Sequence, residues 1–195
     1  MKICIFIPRL NGGGAEKAAI CQANALSNAG YQVTLLVLDP KAPMTPVNDD
    51  VKISTLCTRM RFAIFALPIY LFREKPEIII SHLSVANFIC SIVGIFFKKT
   101  YSITTVQNDL TYRLKQGEYK SLIELFLIVA ANKLCNRVIA VSNGVKRFLT
   151  EKTYVKAEKV KVAYNPISTD SFVKDDALSK ISLIDYNKKK YIIAV

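Results

Sequence analysis

The beginning of the chain constrains its fold most, because a short apolar stretch, three glycines, a helical pattern and a second apolar stretch follow one another there. The first apolar stretch covers residues 3–7, the glycines are residues 12–14, and the second apolar stretch covers residues 33–38. Small and apolar residues recur at helical spacing between the glycines and Gly30. This succession predicts one βαβ unit of a parallel sheet, with a glycine loop at the carboxyl end of its first strand.

The glycine loop is a candidate binding site for a phosphate or a nucleotide sugar. Ligands of open parallel sheets bind at the carboxyl ends of the strands, where bare backbone N–H groups and a helix N-terminus attract anions. The loop matches neither the dinucleotide fingerprint nor the P-loop pattern, and Asp39 is the one candidate for a ribose-binding acid after the second strand. The alternative interpretation is a tight turn whose glycines permit positive φ.

The rest of the chain repeats the alternation of apolar strands and helices. Strands are predicted at residues 51–56, 77–80, 101–106, 137–141 and 160–163, and helices at residues 84–97, 119–134 and 145–150. We expect residues 119–134 to be a buried helix and residues 107–116 to be a polar loop. The fold class is therefore α/β, a doubly wound, mostly parallel Rossmann-like sheet with helices on both faces. After the polar residues 168–190, the apolar residues 191–195 are interpreted as the first strand of a second domain that is missing from this sequence.

The charge of the chain is strongly positive. Lys and Arg total 27 against 15 Asp and Glu, a formal net charge of +12. An excess of this size favours an anionic partner, which is a membrane surface, a polyphosphorylated substrate or a nucleic acid. Because the sequence contains no helix-turn-helix, RRM or zinc pattern, a nucleic-acid partner is not expected.

Cysteine usage indicates a reducing compartment. The five cysteines are scattered, odd in number and without a C-x-x-C pair, so we expect reduced core thiols and neither a disulfide framework nor a metal site. They are Cys4, Cys21, Cys57, Cys90 and Cys135. The first apolar stretch is too short for a signal peptide. Residues 78–97 carry no charge, but Ser81 and His82 favour a buried strand followed by a helix, with membrane insertion as the lesser alternative.

Residues 60–72 are too apolar and aromatic for an ordinary surface loop, and basic residues flank them. One interpretation is an element at a lipid interface, with its aromatic rings buried and its cations on lipid phosphates. The other is a core helix with Pro68 near a kink. The candidate membrane-docking residues are Arg59, Arg61, Phe62, Phe65, Arg73 and Lys75.

Five segments of the chain together resemble the N-terminal half of glycosyltransferase family 4. They come in the family's order, and the ordered set is far more specific than any one of them. The segments are residues 2–17 (KICIFIPRLNGGGAEK), 24–36 (NALSNAGYQVTLL), 75–82 (KPEIIISH), 137–146 (RVIAVSNGVK) and 159–167 (KVKVAYNPI).

The resemblance implies the GT-B architecture, in which two Rossmann-like domains face each other across the active-site cleft. The N-terminal domain mainly receives the acceptor, and the C-terminal domain holds the nucleotide-sugar donor. By this resemblance, residues 1–167 form the N-terminal domain, residues 168–190 a linker, and residues 191–195 the first strand of the missing donor-binding domain. The E-x7-E signature of the C-terminal half is absent from this sequence, so we expect the chain alone to be inactive.

The implied function is that of a retaining glycosyltransferase in bacterial cell-surface glycan biosynthesis. Completed by its second half, the protein would move a sugar from a nucleotide donor, UDP- or GDP-linked, to a lipid-linked or polysaccharide acceptor, with no metal or other cofactor. Its expected place is the cytoplasm, peripheral on the inner face of the cell membrane, with an anionic membrane surface as a partner. The alternative is a non-catalytic membrane-docking subunit of a split glycosyltransferase, which recruits a separate C-terminal, donor-binding chain.

The resemblance also implies site residues. Many family members have His-Asn where this chain has Gln107 and Asn108, and glutamine cannot carry a proton at neutral pH. The catalytic residue therefore stays unassigned, and His82 and Gln107 are cleft candidates. His82, Asn108 and Asp109 are the candidate acceptor-binding residues. The candidate donor-diphosphate residues are Gly13, Gly14 and Glu16.

Several of these residues have a purely structural interpretation as well. His82, the one histidine of the chain, is equally consistent with a hydrogen-bonded core or helix-cap residue, and Asp109 with a turn residue. Ser142 is expected to cap the helix that follows it. Asn165 and Pro166 are expected to shape the interdomain hinge.

Overall fold

The computed structural model describes residues 1–39, 41, 43, 45–165, 183–186 and 189–192. Strands and helices alternate along most of this part of the chain. The strands are β1 (Lys2–Phe6), β2 (Gln32–Val37), β3 (Lys52–Thr55), β4 (Ile78–His82), β5 (Tyr101–Val106), β6 (Arg137–Ala140), β7 (Val160–Val162), β8 (Leu183–Tyr186) and β9 (Lys189–Ile192). The α-helices are α1 (Gly14–Asn28), α2 (Ala63–Glu74), α3 (Ser84–Phe96), α4 (Thr111–Lys115), α5 (Tyr119–Leu134) and α6 (Asn143–Lys152).

Seven strands form one parallel sheet in the order β3-β2-β1-β4-β5-β6-β7. Strands β2 and β3 follow one another on one side of β1. The chain then crosses to the other side of β1, where β4, β5, β6 and β7 follow in order. The strand order reverses between β1 and β4, and open α/β sheets bind ligands beside the carboxyl ends of the strands at such a switch point. The predicted fold class is confirmed, because the sheet is parallel throughout.

Helices cover both faces of this sheet. One face packs against α1 through a core that includes Ile5, Ile20 and Leu35. The other face packs against α2 and α3 through a core that includes Phe6 and Leu67. Farther along the same face, β6 packs against α5 and α6 in a third cluster. The cores on the two faces are separate because successive side chains of a strand point to opposite faces of the sheet.

Several local predictions are confirmed. Residues 78–97 form β4 and α3, as expected for a buried strand and a helix. Ser142 caps α6, where its Oγ accepts a hydrogen bond from the Val145 N–H at 3.1 Å. Three cysteines, Cys4, Cys90 and Cys135, are free and buried. In the described residues, no helix is both long and apolar enough to cross a membrane.

Other local predictions are wrong. The loop predicted at residues 107–116 contains the short helix α4. Helix α5 has the predicted bounds but is buried on one face only, since Leu122, Ile123 and Phe126 are exposed on it. Cys57 is exposed and Cys21 is half-buried, so these two are not core thiols.

The segment after β7 is described only in part. Strands β8 and β9 pair antiparallel with each other, with Leu183 opposite Ile192. The predicted linker at residues 168–190 and the predicted strand at residues 191–195 lie largely outside the described residues, so their assignment to a hinge and a second domain stays a prediction.

Candidate functional site

Polar side chains from four elements meet at the carboxyl edge of the sheet. His82 is the last residue of β4, Gln107 follows β5, Asn165 follows β7, and Gln22 lies on α1. His82 is 2% exposed. The topology brings them together, since parallel strands end at the same edge and α1 crosses beside it.

The four side chains form a chain of hydrogen bonds. Asn165 Nδ2 donates to Gln107 Oε1 at 2.9 Å, which leaves Gln107 Nε2 to donate to His82 Nδ1 at 3.3 Å. His82 Nδ1 is therefore the unprotonated ring nitrogen, and its Nε2–H donates to Gln22 Oε1 at 3.0 Å. We call this set the amide–histidine chain. Its order fixes one tautomer of the imidazole.

Burial makes His82 a neutral residue. Desolvation disfavours the imidazolium and lowers the pKa of His82 from its usual 6.5 to about 4. Both ring nitrogens already have partners, so at neutral pH His82 is suited to orienting its neighbours and poorly suited to accepting a proton. The interpretation of His82 as a hydrogen-bonded core residue is confirmed, and its candidate role in the cleft stays a prediction.

Two cavities flank this part of the sheet. The smaller, about 210 Å³, lies on the α1 side and is lined by His82, Gln22 and Asn165 among others. The larger, about 410 Å³, lies between α3 and α5 and is lined by Gln107 and Asn108 among others. His82 and Asn108, both predicted to bind the acceptor, therefore line different cavities. Gln107 connects them, because it lines the larger cavity and bonds to His82.

The larger cavity, which we call the α3–α5 cavity, combines apolar walls with a polar rim. Ser84, at the start of α3, donates its Oγ–H to Glu124 Oε1 on α5 at 3.1 Å. Lys120 and Glu124 both line the cavity. Leu83, which joins His82 to α3, has φ +73 and ψ 143, a backbone conformation that non-glycine residues rarely adopt and that recurs at functional sites.

The Asp109 side chain hydrogen-bonds to the backbone two residues further along the chain. Its Oδ1 accepts a hydrogen bond from the Thr111 N–H at 2.8 Å, at the start of α4. This is the turn role that the sequence offered as an alternative, and a role in acceptor binding stays a prediction.

The glycine loop does not use the left-handed conformation that glycine permits. None of Gly12, Gly13 and Gly14, all of them described, has positive φ, so a turn here does not depend on it, and the anion-binding role stays a prediction. A Cβ on Gly12 would overlap the carboxylate of Glu16, which is 8% exposed and folds back over the loop. Beside Gly13 and Gly14 the space is open, with no atom within 4 Å of an added Cβ.

Glu16 is a poor partner for a diphosphate. A carboxylate in the first turn of α1 interacts favourably with the helix dipole, but it repels a second anion at the same place. Gly13 and Gly14 remain the candidates for a close backbone approach, and the carboxylate of Glu16 is better suited to accepting hydrogen bonds from hydroxyl groups.

The candidate docking residues form an exposed face of α2 and the 3-10 turn before it. Ala63, Leu67 and Leu71 pack into the core, so the core-helix interpretation holds for that face. The opposite face, which we call the α2 aromatic face, exposes 48% of Phe62, 71% of Phe65, 57% of Ile69 and 72% of Phe72. The basic residues around it, Arg59, Arg61, Arg73 and Lys75, are all exposed.

Sequence reasoning missed Gln22 and the bonding role of Asn165. A single glutamine in a helix and a single asparagine after a strand carry no pattern of their own. Only their position at the carboxyl edge could have indicated that they belong to the site, and that position is known only once the strand order is known.

A parallel Rossmann-like sheet with cavities at its carboxyl edge agrees with the N-terminal half of the GT-B architecture. The family model "Glycosyltransferase Family 4" matches residues 12–171, and the chain belongs to this family. A curated relative is the GalNAc-alpha-(1->4)-GalNAc-alpha-(1->3)-diNAcBac-PP-undecaprenol alpha-1,4-N-acetyl-D-galactosaminyltransferase of Campylobacter jejuni. The chain is 28% identical to it over an alignment of 207 positions, which covers 96% of this chain and 54% of the relative.

Solved structures share the fold at low sequence identity. Anabaena HepE, solved in complex with UDP-glucose, has a TM-score of 0.64 at 18% identity, over 86% of this chain and 44% of that chain. The sucrose-phosphate synthase of Thermosynechococcus elongatus has a TM-score of 0.64 at 13% identity, over 84% and 47%. The chain thus spans about half the length of the proteins that it matches.

Proposed function

We propose that this chain is the N-terminal, acceptor-side domain of a retaining glycosyltransferase that moves a sugar from a UDP- or GDP-linked donor to a lipid-linked saccharide. The observation that carries the proposal is the α3–α5 cavity at the switch-point edge of the sheet, in a chain that spans half of its relatives. The Campylobacter relative, whose name gives a saccharide linked to undecaprenol diphosphate, supports the acceptor class.

In this proposal the chain binds and orients the acceptor, and a C-terminal half supplies the donor chemistry. Asn108, which lines the α3–α5 cavity, holds acceptor hydroxyls through hydrogen bonds, and the neutral amide–histidine chain orients Gln107 beside it. The backbone of Gly13 and Gly14 approaches the donor diphosphate at the N-terminus of α1. Groups that offset the charge of the leaving diphosphate belong to the C-terminal half, so the chain alone transfers no sugar.

A chimera tests this function. Joining residues 1–165 of this chain to the C-terminal half of the Campylobacter relative should give an enzyme that transfers a sugar to a lipid-linked saccharide, whereas neither half does so alone. The control is the same chimera with Gln107→Ala, which breaks the amide–histidine chain and should lower the transfer rate. A folded chimera that binds nucleotide sugar but glycosylates no lipid-linked saccharide would contradict the proposal.

Membrane docking through the α2 aromatic face is the second part of the proposal. Exposed aromatic rings flanked by four cations match an element at an anionic lipid surface. The same face also favours the alternative function, a non-catalytic docking subunit for a separate C-terminal chain. The chimera separates the two, because a purely docking subunit gives vesicle binding and no transfer that depends on Gln107.

Vesicle co-sedimentation tests docking with a matched control. Binding should require acidic phospholipid and weaken with salt. Changing Arg59, Arg61, Arg73 and Lys75 to Gln should reduce binding strongly. Changing four exposed cations elsewhere to Gln, namely Arg147, Lys152, Lys156 and Lys161, removes the same charge and should reduce it much less. Equal losses in the two variants would mean that net charge alone attracts the protein.

A further inference from the structure

A cavity of about 600 Å³ lies at the amino edge of the sheet, opposite the edge that carries the candidate site. It lies where α2 and α3 end, because the connections from α2 to β4 and from α3 to β5 both cross this edge. We call it the α2–α3 cavity. Thr100 and Pro76 line it, and the Thr100 Oγ1–H donates to the Pro76 carbonyl oxygen at 2.9 Å. This bond joins the two connections, so the cavity is formed before any ligand enters.

The walls of the α2–α3 cavity are apolar. Leu71 and Phe97 line it on the side of the core, whereas Phe72 and Phe96 line it with 72% and 79% of their surface exposed. Two rings so exposed, from separate helices at one cavity, favour contact with hydrocarbon over contact with water. Phe72 also belongs to the α2 aromatic face, so the cavity continues that face at the end of α2.

Cations surround these walls. Lys75, Lys98 and Lys99 line the cavity, are exposed, and form no ion pair within the described part of the chain. The carboxylate of Glu77 lines it too, but its Oε1 accepts a hydrogen bond from the Lys2 backbone N–H at 2.9 Å and lies 3.9 Å from the N-terminal ammonium group. The N-terminus thus offsets the charge of Glu77, and the cavity stays cationic.

Apolar walls beside three cations fit an amphiphile with an anionic head. A free phosphate pairs with the lysines but leaves the two rings in water, and a plain hydrocarbon leaves the cations without a counter-charge. A second copy of this chain is a poor occupant, because a symmetric contact would bring the same cations together. An anionic phospholipid offers a phosphodiester and acyl chains side by side, and so matches both parts.

We propose that the α2–α3 cavity binds one anionic phospholipid of the membrane, with its phosphodiester among Lys75, Lys98 and Lys99 and the first part of its acyl chains against Phe72 and Phe96. The inference rests on the proposed docking of the α2 aromatic face and adds a lipid-binding site at one end of it. Because the cavity lies at the amino edge, a lipid bound there anchors the protein and leaves the carboxyl edge free for substrates.

Binding of monomeric, short-chain phospholipid to the 195-residue chain tests the inference without a membrane. The probe is dihexanoyl phosphatidylglycerol below its micelle concentration. Dihexanoyl phosphatidylcholine has the same chains with an added cation, and glycerol phosphate has the anion without the chains. In NMR titrations, phosphatidylglycerol should shift the backbone amides of Phe97 and Thr100. The two other compounds should bind at least about fivefold more weakly, since the lysines repel the first and the second buries no apolar surface.

A pair of double variants tests the cations. Changing Lys98 and Lys99 to Gln should weaken binding of the phosphatidylglycerol about 25-fold, from about fivefold for each lysine. The control changes Arg59 and Arg61 to Gln, which removes the same charge from the other end of the α2 aromatic face and touches no residue that lines the cavity. It should leave binding of the monomeric lipid nearly unchanged. Lysines at the end of a helix also offset its dipole, so thermal melting checks that each variant is folded.

A pair of single variants tests the apolar walls. Phe96→Ser removes an exposed ring that lines the cavity and should weaken binding severalfold. Phe65→Ser is the control, because Phe65 is 71% exposed on the α2 aromatic face and is not among the residues that line the cavity. It should leave binding of the monomeric lipid unchanged.

Equal binding of the two phospholipids, binding of glycerol phosphate as tight as that of the lipid, or equal losses in the two double variants would overturn the inference. Self-association that Phe96→Ser abolishes, without lipid binding, would overturn it in favour of a second copy. Vesicle binding through the α2 aromatic face with no shift at Phe97 and Thr100 would leave the proposed docking intact and the lipid site wrong. Phosphatidylglycerol bound at the cavity of a chain that sediments with no vesicle would overturn the docking instead.

Discussion

The neutral state of His82 makes a prediction about pH and stability. The folded protein holds the pKa of His82 at about 4, whereas an unfolded chain leaves it near 6.5. Between these values the unfolded state binds more protons than the folded state, so the free energy of unfolding rises with pH in this window. The contribution of His82 is fully present above the unfolded pKa and is lost as the pH falls toward the folded pKa.

The size of the effect follows from the separation of the two pKa values. Each pKa unit corresponds to about 1.4 kcal/mol, so the protein should lose about 3 kcal/mol of stability through His82 between pH 6.5 and pH 4. Carboxylates also titrate in this range, and only a comparison with a protein lacking the imidazole isolates the histidine. His82→Gln is a suitable variant, because glutamine has no titrating group and can still hydrogen-bond.

Two measurements check the prediction. Urea unfolding of both proteins across this pH range should show a steeper loss of stability for the original chain than for His82→Gln. NMR of the single histidine should show the Nε2–H tautomer and a pKa well below that of a free imidazole. Gln22→Glu should raise that pKa, because a carboxylate beside Nε2–H stabilises the imidazolium. An imidazole that titrates near 6.5 in the folded protein would refute both the burial and the hydrogen-bond argument.

Three smaller predictions concern stability, and thermal or urea unfolding checks each. Gly14→Ala, whose Cβ meets open space at the start of α1, should stabilise the protein by up to about 1 kcal/mol, while Gly12→Ala should stabilise less or destabilise, because its Cβ displaces the carboxylate end of Glu16; equal effects would contradict this geometry. Ser142→Ala should cost about 1 kcal/mol through the lost cap of α6, and no loss would mean that water replaces the cap. Lys75→Gly should stabilise by up to about 1 kcal/mol, since Lys75 ends α2 with φ 48, and a loss would show that its side chain contributes more than its backbone strain costs.

Most strands of the parallel sheet could be predicted from the sequence because they are short apolar runs with clear ends, and β3, which is largely polar, because its residues alternate. Strand β5 has the predicted bounds, and the helix predicted at residues 119–134 matches α5 at both ends. Burial was harder to predict. An apolar helix in a sequence looks the same whether its second face meets protein, lipid or solvent, so the exposure of Leu122, Ile123 and Phe126 carried no separate signal.

The candidate site was only partly predictable for a different reason. The carboxyl edge and His82 follow from the βαβ pattern and the position of the residue in it. The bonds that fix the tautomer of His82 come from Gln22 and Asn165, which lie 60 and 83 residues away in the sequence and meet it, directly or through Gln107, only in the folded sheet. Spacing along the chain cannot report a network that the strand order creates.

The position of Ile123 connects the two halves of the proposed function. This residue lines the α3–α5 cavity and exposes 54% of its surface, next to the exposed Leu122 and near Phe126 on the same helix. Helices α2 and α5 cover the same face of the sheet, so a membrane that lies against the α2 aromatic face is on the cavity's side of the protein. In the proposed function, a saccharide on a lipid carrier can then reach Asn108 without passing around the sheet. Docking through the α1 face would place the sheet between the carrier and the cavity, and for that reason the α2 face is the one that the proposed acceptor requires.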